Sequence, residues 1–350
     1  MTAAAADAYA ANTAFHQRLR TENLAALWVA RRGMDLSRPR SPAKPSLWRY
    51  RDIRPHILEA GKLVTAEDAF RRVLVLENPS YPGQMRATTT LYAGLQLVLP
   101  GETAPCHRHS QTAIRFVIEG TGAYTAVEGE RTRLHPGDFV ITPCWTWHDH
   151  VNEGDEPVVW LDVLDTPLVD FLDTVFRENY PEMRQPIVRP DDDSPARYGA
   201  GLMPVGHTPS HPASPVFSYP YARTRAALET VRRDGAWDAC HGLKMQYINP
   251  ATGGPATPTM GAFLQLLPAS FRGADYRSTE SVVFCAVEGS GRTVVDGHAF
   301  DWSPHDVFVV PGWCRHHHEA ADDSVLFSVS ERPVQEKLGL WREERFDRNR

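Results

Sequence analysis

The sequence Pro-Gly-Asp-Phe-Val-Ile-Thr-Pro at residues 136–143 returns, 168 residues later, as Pro-His-Asp-Val-Phe-Val-Val-Pro at residues 304–311. Upstream, Val-Ile-Glu-Gly-Thr-Gly at 117–122 matches Ala-Val-Glu-Gly-Ser-Gly at 286–291, with an offset of 169. Two matches at nearly the same spacing indicate an internal duplication. The chain has 350 residues, which is long enough for two copies of one domain.

Short apolar segments between turn residues surround the first copy. Glu128-Gly129 is typical of a tight hairpin, because glycine accepts positive φ. Short strands at this spacing predict a mainly β fold, with a jelly roll or barrel in each copy. The predicted strands cover residues 91–99, 114–118, 124–127, 139–142 and 158–164.

The remaining segments predict an arm, a linker and a tail. Apolar positions at helical spacing indicate a helix over residues 10–30 that ends near Gly33. An irregular stretch rich in Pro, Asp and Ser predicts a linker with one helix over 224–233. The expected domains are an N-terminal helical and extended arm (1–85), a first barrel (86–175), a linker (176–255), a second barrel (256–332) and a C-terminal tail (333–350).

Composition argues against several classes of function. The 37 Lys and Arg residues face 43 Asp and Glu residues, so no basic excess favours nucleic-acid binding. No apolar run approaches the roughly 20 residues that a membrane span needs. The five cysteines are widely spaced and form no CxxC pair, which predicts reduced thiols in a cytoplasmic protein.

Three histidines of the first copy predict a metal site. His107 and His109 lie one residue apart, so they share a face of a strand, and His148 follows the repeated segment 136–143. Three neutral imidazoles on one barrel wall leave coordination positions open, as catalytic sites do. The spacing alone leaves iron and zinc as alternatives, and buried or surface histidines without metal are the simpler reading.

The same strand parity places Gln111 and Arg115 beside the histidines. An arginine inside a barrel is costly unless it meets an anion, and a substrate carboxylate suits a guanidinium. The alternatives are an exposed Arg115, and a Gln111 that only orients a ligand histidine. In the second copy, Tyr276 and Ser278 stand at the positions of His107 and His109. We therefore expect that copy to be structural and to hold no catalytic metal.

Several stretches resemble the gentisate 1,2-dioxygenase family of the cupin superfamily. The likeness runs over most of residues 70–342. It is most specific at residues 90–96, 107–116, 145–150, 249–254 and 332–341.

The resemblance implies a bicupin, that is, two jelly-roll (double-stranded β-helix) barrels, usually assembled as homotetramers. It implies Fe(II), O2 and an aromatic hydroxy acid, with the ring of a 2-hydroxybenzoate cleaved between the carboxyl-bearing and hydroxyl-bearing carbons. Gentisate, cleaved to maleylpyruvate, is the first choice. The alternatives are salicylate, a ring-substituted salicylate or 1-hydroxy-2-naphthoate, and a non-catalytic bicupin that binds an aromatic acid.

The resemblance also implies roles for individual residues. The iron ligands correspond to His107, His109 and His148, the carboxylate and pocket arginines to Arg115 and one of Arg71 or Arg72, pocket or acid–base groups to Gln111, His150 and Asp162, and pocket-wall positions to Tyr92 and Gly94.

Two of these roles stay open on the sequence. His150 is predicted to take or relay the phenolic proton, since imidazole titrates near working pH, or only to accept a backbone hydrogen bond. Asp162 could also be a buried structural cap. The chain departs from the family pattern at Val163 and Thr166, where the family usually has Gly and Ile. These departures bear on the substituent of the substrate ring.

Overall fold

The computed structural model describes residues 3–30 and 37–346. The chain divides into two compact units, residues 1–40 and residues 41–350. The first contains helices α1 (Ala3–Thr21) and α2 (Leu27–Ala30), so the single helix expected over residues 10–30 is two helices. Its expected end near Gly33 lies outside the described residues. No helix within the described ranges is long and apolar enough to cross a membrane.

In the second unit, the described residues 41–346 form 23 strands and five helices. In chain order they are β1 (Ser46–Trp48), α3 (Tyr50–Leu63), β2 (Val73–Val75), β3 (Tyr92–Val98), β4 (Thr103–His109), β5 (Ala113–Glu119), β6 (Ala123–Val127), β7 (Glu130–Arg133), β8 (Phe139–Thr142), β9 (His148–Asn152), β10 (Val158–Leu164), α4 (Thr166–Phe171), β11 (Arg177–Asn179), α5 (Asp193–Tyr198), β12 (Ser218–Tyr219), α6 (Tyr221–Arg232), β13 (Leu243–Gln246), β14 (Gly261–Leu267), β15 (Phe271–Arg272), β16 (Tyr276–Ser278), β17 (Val282–Glu288), β18 (Gly291–Val295), β19 (His298–Trp302), β20 (Val307–Val310), β21 (His316–Ala320), β22 (Ser324–Ser330), α7 (Arg332–Lys337) and β23 (Glu343–Arg345).

Each copy of the duplication forms a barrel of two sheets. The first barrel has the strand orders β12-β8-β5-β10-β3-β2 and β11-β4-β9-β6-β7. The second has β1-β20-β17-β22-β14-β13 and β19-β18-β21-β16-β23, with β15 beside β21. The predicted mainly β bicupin fold is confirmed. The predicted hairpin is also present, because Glu128 and Gly129 join β6 to β7 with φ values of 47° and 76°.

Short edge strands tie the barrels to each other. Strand β1 precedes the first barrel but pairs with β20 of the second. Strand β12 precedes the second barrel but pairs with β8 of the first. Residues 176–255, expected as a linker, thus supply β11 and β12 to the first barrel and β13 to the second. Their one expected helix over 224–233 corresponds to α6.

One apolar core extends across both barrels. Phe116 of β5 stacks on Phe327 of β22 with ring centroids 4.2 Å apart, and both side chains are buried. Burying each such ring stabilises the fold by roughly 1.5–3 kcal/mol. This packing fixes β5 and β10 from their core side, so that the opposite face of the same strands can carry polar side chains into the barrel.

Candidate active site

The three predicted ligand histidines come together on two neighbouring strands. His107 of β4 lies opposite His148 of β9 in antiparallel register, and His109 shares the face of His107. The ring centroids of His107 and His148 are 4.3 Å apart, and one ligand nitrogen from each of the three rings lies within 4.8 Å of the others. Within the described part of the chain, this is the one group with such spacing.

The backbone holds each ring in the orientation that metal binding requires. The Nδ1 atoms of His107, His109 and His148 lie 3.1, 2.9 and 3.0 Å from the carbonyl oxygens of residues 105, 111 and 146. An Nδ1–H that donates to a carbonyl leaves the Nε2 lone pair free for a metal.

Burial keeps these rings neutral and leaves a nitrogen without a partner. Burial lowers the pKa of His109 to about 4 and the pKa of His148 well below its usual range. His148 Nε2 is buried and has no hydrogen-bond partner among the described residues. A neutral, unpartnered nitrogen between two other imidazoles fits a divalent metal, so these residues could hold one.

Arg71 contacts the same site. Its Nη2 lies 2.8 Å from His107 Nδ1, which is also the atom beside the Pro105 carbonyl. A guanidinium only donates, so Nδ1 cannot accept from Arg71 and donate to Pro105 in one tautomer. A metal at Nε2 selects the contact with Pro105, and Arg71 is then free to turn to another acceptor. Burial lowers the pKa of Arg71 to about 9.

His107 and His109 line a cavity of about 490 Å³, together with four arginines, namely Arg71, Arg86, Arg115 and Arg177. Arg115 donates to the Thr142 hydroxyl, and its Nε lies 3.3 Å from Asp162 Oδ1 in an ion pair without hydrogen-bond geometry. Burial lowers the pKa of Arg115 and raises the pKa of Asp162. The cavity therefore favours a ligand that carries negative charge and both accepts and donates hydrogen bonds.

The structure brings most of the predicted site residues to this cavity. The chain passes from β4 in one sheet to β5 in the other through residues 110–112 and keeps the predicted parity. The predicted residues that line the cavity are His107, His109, Gln111, Arg115, Asp162, Arg71 and Tyr92.

Four of the predicted residues do not line the cavity: His148, which completes the triad, and His150, Arg72 and Gly94. His150 lies beside His148, with ring centroids 5.8 Å apart, and its Nδ1 is 2.9 Å from Thr125 Oγ1. His150 Nε2 is buried and unpartnered among the described residues. Arg72 does not line the cavity, because its guanidinium pairs with Glu102. Of the two neighbouring arginines, Arg71 is the one at the site.

Gly94 shapes the cavity wall indirectly. A Cβ placed on Gly94 would lie 2.5 Å from Val73 Cγ1 and 2.8 Å from the Tyr92 hydroxyl. Both distances are shorter than a van der Waals contact. The absence of a side chain at Gly94 therefore lets Tyr92 and Val73, which line the cavity, take their observed positions.

The two departures from the family pattern differ in their surroundings. Val163 is fully buried in the apolar core, on the opposite face of β10 from Asp162. Thr166 lines the cavity at the start of α4. Any direct influence on the substrate therefore comes from Thr166 rather than from Val163.

Gln96 and Arg177 are among the cavity residues that were not predicted. Gln96 lines the cavity, and its buried Nε2 has no hydrogen-bond partner among the described residues. Gln96 shares the strand parity of Tyr92 and Gly94, so this signal was present in the sequence. Arg177 lies on β11, in the segment expected as a linker, with its guanidinium 3.3 Å from the centroid of the Phe70 ring. No local pattern marks that segment as a strand.

Comparisons with known proteins agree with this geometry. The Cupin domain family matches residues 94–164. The chain is 52% identical over 331 residues to gentisate 1,2 dioxygenase 1 of Aquipseudomonas alcaligenes, which covers 95% of each chain. The chain belongs to the gentisate 1,2-dioxygenase family. It is thus an enzyme of the ring-cleaving dioxygenase class, with a metal cofactor and an aromatic substrate.

Other members of the family are also similar. The chain is 38% identical over 339 residues to 5-aminosalicylate 1,2-dioxygenase of a Comamonas species, covering 95% of this chain and 90% of the relative. A solved structure of salicylate 1,2-dioxygenase from Pseudoaminobacter salicylatoxidans, as an adduct with gentisate, superposes with a TM-score of 0.90. It is 31% identical and covers 95% of this chain and 93% of its own.

Proposed function

We propose that this gentisate 1,2-dioxygenase family member uses Fe(II) and O2 to cleave gentisate to maleylpyruvate. Both oxygen atoms enter the product, and the bond between the carboxyl-bearing and hydroxyl-bearing ring carbons breaks. The observation that carries the proposal is the histidine triad beside a cavity that two of its members line together with four arginines. Fe(II), when held by His107, His109 and His148, supplies adjacent coordination positions for the ring substituents and for oxygen.

Protein groups hold the substrate carboxylate and orient the ring. Arg115 is fixed from behind by Thr142 and Asp162, so its remaining N–H groups face the cavity. When His107 Nδ1–H donates its hydrogen bond to the Pro105 carbonyl, Arg71 is free to donate to the same carboxylate. Two guanidinium groups in a buried cavity favour a bound anion strongly and restrict its orientation.

His150 lies next to His148 but outside the cavity lining, so its proposed role is to relay the phenolic proton rather than to contact the ring. Its Nδ1 is 2.9 Å from Thr125 Oγ1, and its Nε2 has no partner among the described residues. Burial lowers the pKa of His150 well below the usual range, so the ring is neutral and a weak base that passes a proton on rather than keeping it. Gln111 contributes twice, because its carbonyl holds His109 while its side chain lines the cavity.

Salicylate and ring-substituted salicylates are the second candidate substrates. The similarity to the 5-aminosalicylate and salicylate dioxygenases favours them, and a 1-hydroxy-2-naphthoate 1,2-dioxygenase of a Nocardioides species is 34% identical. These acids share the carboxyl and the adjacent hydroxyl and differ elsewhere on the ring. Substituents at the other ring positions would contact the part of the cavity near Tyr92 and Thr166.

Oxygen uptake by the metal-loaded enzyme tests both candidates. The chain is loaded with Fe(II) without oxygen, and uptake is measured with gentisate, salicylate, 5-aminosalicylate and 1-hydroxy-2-naphthoate. We expect equimolar uptake, fastest with gentisate, and none after loading with Zn(II). Faster uptake with a salicylate would assign that substrate instead. No uptake with any acid would leave a non-catalytic bicupin and would refute the proposal.

The assembly and location of the protein follow from the same resemblance. We propose a homotetramer in the cytoplasm, where the five free cysteines would stay reduced. Sedimentation velocity at micromolar concentration distinguishes a tetramer from a monomer or dimer.

A further inference from the structure

The second barrel contains a cavity of its own, with a volume of about 460 Å³. It lies at the place that corresponds to the catalytic cavity, because Tyr276, which pairs with His316 as His107 pairs with His148, lines it. The loss of the ligand histidines thus left the space open. Its lining also includes the basic residues His241, Lys244, Arg332 and Arg345, the acidic residues Asp238 and Glu343, and Trp341.

Lys244 is a cation without a counter-ion in this cavity. It lies on β13 opposite Gln265, and among the described residues its Nζ has no hydrogen bond or ion pair. Its one polar contact is with the face of the Phe263 ring, 4.7 Å from the centroid. Burial lowers the pKa of Lys244. Lys244 is half-buried, and an ammonium group that is partly withdrawn from water without an ion pair favours an anion at this place.

The other charged groups around Lys244 already have partners. Arg345 lies 2.6 Å from Asp238 Oδ2 and 3.6 Å from Glu343 Oε1, and Arg332 lies 2.7 Å from Glu336 Oε1. The carboxylate of Glu280 accepts hydrogen bonds from the hydroxyls of Ser278 and Ser330. The acidic groups around Lys244 thus make their closest contacts with other residues, and among the described residues none forms an ion pair with its ammonium group.

An aromatic donor lies in the same cavity. Trp341 Nε1 is buried and has no hydrogen-bond partner within the described ranges. Tyr276, Phe263 and Trp341 also line the cavity, and Arg332 covers one face of the Trp341 ring at 4.0 Å from its centroid. Unused donors beside aromatic walls suit a ligand that has an acceptor group at one end and a flat apolar body.

We propose that the second barrel binds a small aromatic carboxylate, with its carboxylate at Lys244 and Trp341 and its ring against the aromatic wall. This site contains no histidine triad, so it is a binding site and not a second catalytic centre. The inference does not depend on which acid the first barrel cleaves.

Benzoate is a suitable probe, because it lacks the 2-hydroxyl and is not a substrate of the proposed reaction. Equilibrium dialysis of the Fe(II)-loaded enzyme without oxygen counts the molecules bound per chain. We expect two sites in the wild type and one in Lys244→Met, with the affinity of the lost site reduced at least about tenfold. Arg115→Met should lose the other site. Lys62→Met, which removes an exposed lysine, is the control.

Stability and a second variant keep the result interpretable. Removing a half-buried cation that has no ion pair should leave the melting temperature of Lys244→Met unchanged or higher, and its oxygen uptake unchanged. Trp341→Phe keeps an aromatic ring but removes the hydrogen-bond donor, so it should also weaken benzoate binding at the second-barrel site. This variant tests the proposal if Lys244→Met does not fold. One benzoate per chain that disappears in Arg115→Met and persists in Lys244→Met would overturn the proposal, whatever the catalytic activity.

Discussion

Tyr276 lies opposite His316 in the second barrel as His107 lies opposite His148 in the first. His316 also keeps the backbone contact of its counterpart, with Nδ1 3.1 Å from the Cys314 carbonyl. The duplication therefore preserved the orientation of the third histidine after the other two ligands had changed. A single well-oriented imidazole does not make a facial metal site, so the two barrels now differ in chemistry while sharing their backbone.

This matched pair gives a direct test of the metal site. His148→Ala should retain less than about a tenth of the wild-type iron after gel filtration, because removing one of three protein ligands leaves an incomplete site. His316→Ala should retain one iron per chain. The measurement is metal content by mass spectrometry, with circular dichroism to check the fold. Full iron in His148→Ala, or its loss from a folded His316→Ala, would contradict the assignment.

The ion pair of Arg115 and Asp162 predicts separate effects on stability and activity. Arg115→Met leaves the buried Asp162 without its cation, which should lower the free energy of unfolding by about 3–5 kcal/mol near neutral pH. It should also lower kcat/KM at least about 100-fold, since the substrate carboxylate loses its main partner.

The double variant separates these two effects. Adding Asp162→Asn to Arg115→Met removes the unpaired charge and should recover most of the lost stability but none of the lost kcat/KM. Urea unfolding and steady-state oxygen uptake are the two measurements. A double variant that regained activity together with stability would show that Arg115 acts only by supporting the fold.

Much of this site could be predicted because strand parity is a local property. The alternation from His107 to Arg115 survives the passage from one sheet to the other, so residues two apart still converge. The same rule would have found Gln96. The internal repeat predicted both barrels, because equivalent segments had to fold alike.

Other features depend on contacts with residues far away in the sequence, so no local sequence pattern predicts them. Arg177 reaches the cavity only because residues 177–179 pair with β4, and nothing in that short exposed segment predicts a strand. The edge strand β1 joins the second barrel across more than 250 residues of sequence. Similarly, the sequence could not distinguish Arg71 from Arg72 as the cavity residue. Arg72 is held away from the cavity by an ion pair with Glu102, which lies in the connection between β3 and β4.

Substituting Gly94 should weaken substrate binding, and a second substitution at Tyr92 should restore part of it. Gly94→Ala places a Cβ against the Tyr92 hydroxyl and Val73, so Tyr92 should shift at the cavity wall. We expect KM for the preferred acid to rise about tenfold, which is about 1.4 kcal/mol, with a smaller effect on kcat. Tyr92→Phe added to Gly94→Ala removes the hydroxyl and should restore part of the loss. If the double variant binds no better than Gly94→Ala, contact with Val73 rather than Tyr92 limits the site.

Asp165 directly follows β10 in the first barrel, and Glu331 directly follows the equivalent strand β22 in the second. Both carboxyl groups are buried and accept hydrogen bonds. Asp165 accepts hydrogen bonds from Thr112 N and, across to the other barrel, from Thr259 Oγ1 at 2.6 Å. Glu331 accepts from Ser281 N and from the Gln335 side chain. Burial raises the pKa of Asp165 to about 6 and the pKa of Glu331 to about 7.

Because the pKa of Glu331 is raised in the folded chain, this group should make the protein less stable as pH rises from about 4 to about 7. An unfolded glutamate has a pKa of about 4.3, so between that value and about 7 the folded chain holds a proton that the unfolded chain has lost. The contribution of Glu331 to the free energy of unfolding is fully present below the unfolded pKa. It is lost as pH rises towards the folded pKa, by up to about 1.4 kcal/mol per pH unit.

Glu331→Gln removes the titration but keeps an oxygen acceptor for Ser281 N. The difference in unfolding free energy between the variant and the wild type should therefore move in favour of the variant as pH rises from 5 to about 7, and then level off. Urea unfolding of the metal-free chain at several pH values measures it, and Glu182→Gln at an exposed position should run parallel to the wild type. A constant offset between Glu331→Gln and the wild type over this range would mean that Glu331 is ionised in the folded chain, with its charge satisfied by the hydrogen bonds it accepts.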